Sequence, residues 1–135
     1  MIALATAGCG GGAPAEIPEP PAILLAPAED PFGDTVRERV NRATIATYDA
    51  IEPRFGRLSS APYAIPADRR EELVAALRQG LPEGWVPVEL AGFRPDHGQL
   101  HAYSAGAALF AVLIVDPGEG TLLPVMILRN DAAKR

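Results

Sequence analysis

Apolar and polar positions alternate along the chain with several different periods, and the strongest signal lies between Ala107 and Asn130. There AALFAVLIV and TLLPVMILRN, each of strand length, flank the segment DPGEG. An unbroken apolar run of this length predicts a strand covered on both faces, so this hairpin is expected to floor the core. Pro117 presets φ, Gly118 and Gly120 can take positive φ, and Asp116 can accept bonds from the amides that follow, so the middle segment is a turn. Pro124 interrupts the second run and predicts an edge position or a bulge.

Upstream of the hairpin, WVPVELAGF puts Val86, Val88 and Leu90 on one side and Trp85, Glu89 and Phe93 on the other. Pro87 cannot donate to a ladder, which makes this a strand at the sheet's edge. RPDHGQ reads as a turn, LHAYS alternates as a second strand, and Ser104-Ala105-Gly106 turns or bulges into the hairpin.

Two stretches carry helical periodicity. Asp30-Pro31 places an N-cap residue before a first-turn proline, and Asp34 offers a second start. Phe32, Val36, Val40, Ala43, Thr47, Ala50 and Ile51 then share one face, with Arg37, Glu38, Arg39, Asn41, Arg42, Asp49 and Glu52 opposite. Pro53 disfavours a helical Glu52 and predicts the end there. In the second, Asp68 and Glu71 have capping-box spacing, Leu73, Val74 and Leu77 form the apolar stripe, and Gly80 with Pro82 predicts the stop. Between them RFGRLSSAPYAIP (residues 54–66) reads as a long loop pinned by Phe55, Leu58, Tyr63 and Ile65, in which Arg54 and Arg57 could meet an anion. The expected fold is therefore α+β: two helices, then a three- or four-stranded antiparallel sheet with both helices on one face.

Composition narrows the function classes. At 135 residues with 48% hydrophobic content, one domain with a real core is expected. A net charge of -5 without a Lys/Arg stripe argues against a nucleic-acid partner. Consecutive apolar residues never reach the roughly 18 of a spanning helix.

The first nine residues, MIALATAGC, place small residues ahead of the sole cysteine, Cys9. Gly10-Gly11-Gly12 and the Pro-rich APAEIPEPP follow, a composition suited to a flexible, then stiffer, tether. Thr6-Ala7-Gly8-Cys9 resembles the lipobox that ends the signal peptide of bacterial lipoproteins. The resemblance implies cleavage before Cys9, its lipidation, and a domain held on the extracytoplasmic side of the cell envelope. It concerns these residues alone. A chain with no other thiol also suits an oxidising compartment. The simpler reading is a small-residue tail on a secreted domain. The expected organisation is a signal remnant at 1–9, a tether at 10–30 and a single domain at 31–131, with Ile23-Leu24-Leu25 an apolar patch able to dock on the domain.

Candidate chemistry is sparse. Asp96, His97 and His101 are metal-ligand types close in sequence; on a continuous strand His97 and His101 would share a face, with Glu89 a conceivable third ligand. Ser59, Ser60 and Ser104 lack a nucleophile elbow, the glycine run does not precede a helix with Lys, and the Asp116 turn lacks the spaced oxygens of a calcium loop. No cofactor is expected. These observations favour an envelope-anchored module that works by contact, in binding, assembly or inhibition, with the membrane and another envelope protein or ligand as partners. The alternative is a tethered metal-assisted hydrolase using His97 and His101.

Overall fold

The computed structural model of the chain describes residues 16–118 and 120–130. The fold is α+β: two helices, α1 (Asp34–Phe55) and α2 (Arg70–Gly80), and five strands, β1 (Leu58–Pro66), β2 (Val86–Pro87), β3 (Gly98–Ala105), β4 (Ala108–Val115) and β5 (Leu122–Asn130). The strands form one sheet in the order β1-β5-β4-β3-β2, antiparallel at every step. The central hairpin stands as read from the sequence. β4 is buried along its whole length.

The two helices do not share a face. Val112, Phe110 and Ile114 of β4 pack with Leu73 and Leu77 of α2, whereas Ala111, Leu113 and Leu109 pack with Ala43 and Ile51 of α1. Alternate residues of a strand point to opposite sides, so α2 and α1 cover opposite faces and the molecule has three layers. That arrangement is what an uninterrupted apolar β4 requires: one layer of helices would have left Leu109, Leu113 and Val115 in water.

The sheet has five strands rather than three or four because residues 58–66 form β1 instead of a loop. Leu58 joins the α1-side core, and Tyr63 and Ile65 pack on the α2 side. Two prolines obscured this strand, yet Pro62 and Pro66 sit at positions whose backbone faces away from β5. Ala64 fixes that phase, because both its N–H and its carbonyl bond outward to Leu25, at 2.9 and 2.8 Å. β1 is an edge, where proline removes nothing from the ladder.

By the same logic β5 is an interior strand and not an edge. Pro124 lies just past the last β4 pair, Ile114 with Val125, so its missing N–H leaves no rung empty.

α1 begins at Asp34 and not at Asp30. Asp30 instead accepts a bond from the Phe32 amide at 2.8 Å and pairs with Arg37 at 3.0 Å, fixing the turn before the helix. Pro53 does not end α1, which runs on to Phe55. So close to the terminus proline forfeits one hydrogen bond at most. Gly56, at φ 84, then turns the chain, and its amide bonds to the Glu52 carbonyl. α2 is entered through a 3-10 turn at Ala67–Arg69 with no side-chain cap; Arg69 bonds Glu72 at 3.1 and 2.7 Å in place of the expected capping box. Gly80 is the last residue of α2, and the extended Leu81 closes it.

Part of the expected tether is a strap. Leu24 is buried, Ile17 and Ile23 pack against the α2-side core, and Leu25 bridges to Ala64. The apolar patch thus docks, and the folded unit reaches back beyond residue 31. Cys9 and its neighbours lie outside the described residues.

Candidate cleft at the open edge of the sheet

The sheet's two edges are finished differently. On β1 the outward backbone positions are nearly all closed. The Leu58 amide bonds to the Glu52 carboxylate at 2.9 Å, Pro62 and Pro66 have no amide to offer, and Ala64 is taken by Leu25. Such an edge resists pairing with another chain.

The other edge is left open. β2 covers only Ser104 and Tyr103 of β3, and one further bond runs from the Val88 amide to the Ala102 carbonyl at 2.9 Å. The chain then leaves the ladder, turning at Leu90–Phe93, and returns to β3 through His97. The expected strand over residues 85–93 is thus only two residues long. Pro87 sits in it, and the turn through Gly92, at φ 74, draws the rest away. Ladder phase follows from Ala102: its carbonyl points away from β4, so in an antiparallel strand the backbone of Leu100, two residues earlier, does so too. The Leu100 N–H and carbonyl have no hydrogen-bond partner among the described residues.

A cleft of about 520 Å³ lies along this open edge. Its apolar wall is formed by Val88, Leu90, Phe93 and Leu100, and it wraps the edge to reach Gln99 and Ile114 on the α2 side. Arg70, at the start of α2, and Arg94 and His97, from the returning loop, supply donors to it, with Asp116 the one carboxylate among the described residues that line it. Among the described residues neither Arg70 nor Arg94 is in an ion pair. The Asp116 carboxylate accepts the Gly118 amide at 2.9 Å, and its backbone carbonyl accepts Arg39 Nη1 from α1 at 3.2 Å. A chain of net charge -5 therefore carries a locally cationic cleft.

The sequence-predicted ligands are dispersed. His97 is exposed, in the turn before β3, with φ 55, a left-handed conformation uncommon outside glycine. His101 lies inside β3, opposite Val112 on the α2 side, and its Nε2 is buried without a hydrogen-bond partner among the described residues. Burial, then repulsion from Arg78, pushes the His101 imidazole below its usual pKa. Glu89 is exposed on the departing loop and Asp96 is exposed beside His97. Among the described residues no three His, Cys, Asp or Glu side chains are grouped to hold an ion. Of the cleft's neighbours only His97 was a candidate from sequence; Arg70 and Arg94, 24 positions apart, carried no motif that joined them.

Arg54 lies over the Phe55 ring at 5.0 Å and Phe55 packs against the α1-side core, so both belong to the last turn of α1 and not to the expected loop. Among the described residues no helix is long and apolar enough to cross a membrane. In comparisons with known proteins the chain matches no family model, no curated protein and no solved structure.

Proposed function

We propose that the chain is a lipid-anchored protein of a bacterial cell envelope whose domain works by contact, as a binding, assembly or inhibitory module on the extracytoplasmic side. The observation that carries the anchor is Cys9, the sole thiol, placed directly after Ala7-Gly8 and ahead of a glycine run. Two or more acyl chains on that residue hold a protein stably at a bilayer. The strap gives the anchor a mechanical consequence. From Cys9 to Ile17, the first strap residue in the core, eight residues at roughly 3.5 Å each reach about 28 Å at most. The domain then stays close to the membrane instead of ranging on a long leash.

Contact, as opposed to catalysis, is favoured by the cleft's lining. It offers apolar surface and guanidinium donors, and among the described residues none that line it is Ser, Thr or Cys. Pockets of a few hundred Å³ with an apolar wall and a few placed polar groups are ordinary binding sites.

The test is metabolic labelling in a bacterial host carrying the full-length gene. The chain is expected to take up labelled palmitate and to sediment with membranes, and Cys9→Ala to do neither. Unlabelled, membrane-free wild-type protein would rule the anchor out.

A further inference from the structure

The open edge of β3, the apolar wall and two arginines without an ion pair among the described residues occupy one cleft, and together they specify a ligand more narrowly than any of them alone. We propose that the cleft takes an extended peptide bearing a carboxylate, which adds as a short strand to β3. The inference rests on the reading of the domain as a contact module and leaves the lipid anchor aside.

Three features must be satisfied at once. Leu100 presents a backbone N–H and a carbonyl outward with no partner among the described residues. A second backbone can pair with both, in the way an extended peptide augments a sheet. An acyl chain can pair with neither. Val88, Leu90, Phe93 and Leu100 form the wall beside that edge. Alternate side chains of an added strand point to opposite sides, so every second one would meet this wall. Finally, Arg70 and Arg94 bring two positive charges that no carboxylate neutralises within ion-pair distance among the described residues. A carboxylate is the anion a peptide carries, and guanidinium binds it through paired, charge-assisted hydrogen bonds.

The contrast with β1 supports the same conclusion. At that edge Glu52, two prolines and the strap close the backbone to a neighbour. The fold thus guards one edge against strand addition and leaves the other open inside a cationic cleft. The open stretch is short, from Gly98 to Ala102, which limits the added strand to about three residues, close to 10 Å at 3.4 Å per residue.

The experiment uses the isotope-labelled full chain carrying Cys9→Ala, so that lipidation has no bearing on it. Backbone amide shifts are followed on titration with a pool of acetylated tetrapeptides randomised over Val, Ile, Leu and Phe. The pool is prepared with a free C-terminal carboxylate, as the amide, as the amide with Asp at the third position, and as the free acid N-methylated at alternate residues. Dodecanoate is the lipid arm. A carboxylate-bearing pool is expected to shift Gly98 to Ala102 saturably and the plain amide to bind about tenfold more weakly, a loss of about 1.4 kcal/mol. N-methylation should abolish binding. Which carboxylate pool is tighter identifies a chain terminus or a side chain as the source.

Arg70→Gln with Arg94→Gln should weaken binding by about tenfold or more while leaving the melting temperature within a few degrees of the Cys9→Ala parent. The proposal is overturned if no carboxylate pool shifts these amides, if N-methylated peptide binds equally well, or if dodecanoate binds and peptides do not. None of those results would affect membrane partition, and absence of palmitate would not affect peptide binding.

Discussion

Asn130 does more for the fold than its place at the end of β5 suggests. Its Oδ1 accepts the Leu109 amide at 3.0 Å, while its Nδ2 donates to the Phe55 carbonyl at 3.0 Å and to the Ala107 carbonyl at 2.7 Å. One side chain thereby joins the end of α1, the turn before β4 and the last strand. Substitution by Ala would orphan the buried Leu109 amide as well as two carbonyls. Asn130→Ala is expected to cost about 1–3 kcal/mol in urea denaturation, the cost of one stranded buried group, since water can reach the two part-buried carbonyls. A loss below about 0.5 kcal/mol, the size of an ordinary surface change, would contradict this role.

His101 yields a prediction with a sign. Its folded-state pKa lies below the usual 6.5, first because burial disfavours the imidazolium and then because Arg78 repels it. Between the folded and unfolded values the unfolded chain holds the proton and the folded one does not. Its contribution to stability is therefore complete above about pH 6.5 and is lost as pH falls toward the folded value. His101→Phe removes this titration. The melting temperature of the variant, relative to wild type, should rise as pH is lowered from 7.5 to 5; a constant difference would show that His101 titrates alike in both states.

At the scale of elements, β1 and the strap decide how far the folded unit extends. A segment rich in proline lacks the periodicity to build a core by itself, which is why residues 10–30 read as a tether. Three side chains alter that picture: Leu24 is 9% exposed, and Ile17 and Ile23 pack beside it. A chain starting at Asp30 would also lose the Leu25 bridge and reopen the edge at Ala64. Burying one Leu side chain contributes about 1.5–3 kcal/mol. The shortened protein is expected to unfold at least about 2 kcal/mol more readily than the full chain in denaturant titration. Equal midpoints would show that the strap rests on the domain without stabilising it. The burial periodicity of α1 was legible from the start. Val36, Ala43, Thr47 and Ile51 are buried while Ile45 is 61% exposed, as one face of a 3.6-residue repeat requires.

For the whole molecule, the order of residues alone specified the fold class, the two helices, the β4–β5 hairpin and the polar face that α1 turns to solvent. Each is a local consequence of apolar spacing or turn chemistry, so each is visible within a window of 10–20 residues. It also held the lipobox-like residues around Cys9, which the described residues do not include. Long-range packing set which face of the sheet each helix covers, since an amphipathic helix specifies that it must be buried and not where. It decided that residues 58–66 pair with β5, because Pro62 and Pro66 forbid a strand locally and are harmless once their outward phase is set by partners. It likewise brought Arg70, Arg94 and His97 to one open edge while keeping His101 on the α2 side of β3. Those positions depend on ladder register and on where the chain leaves β2, long-range quantities that no local pattern of residues encodes.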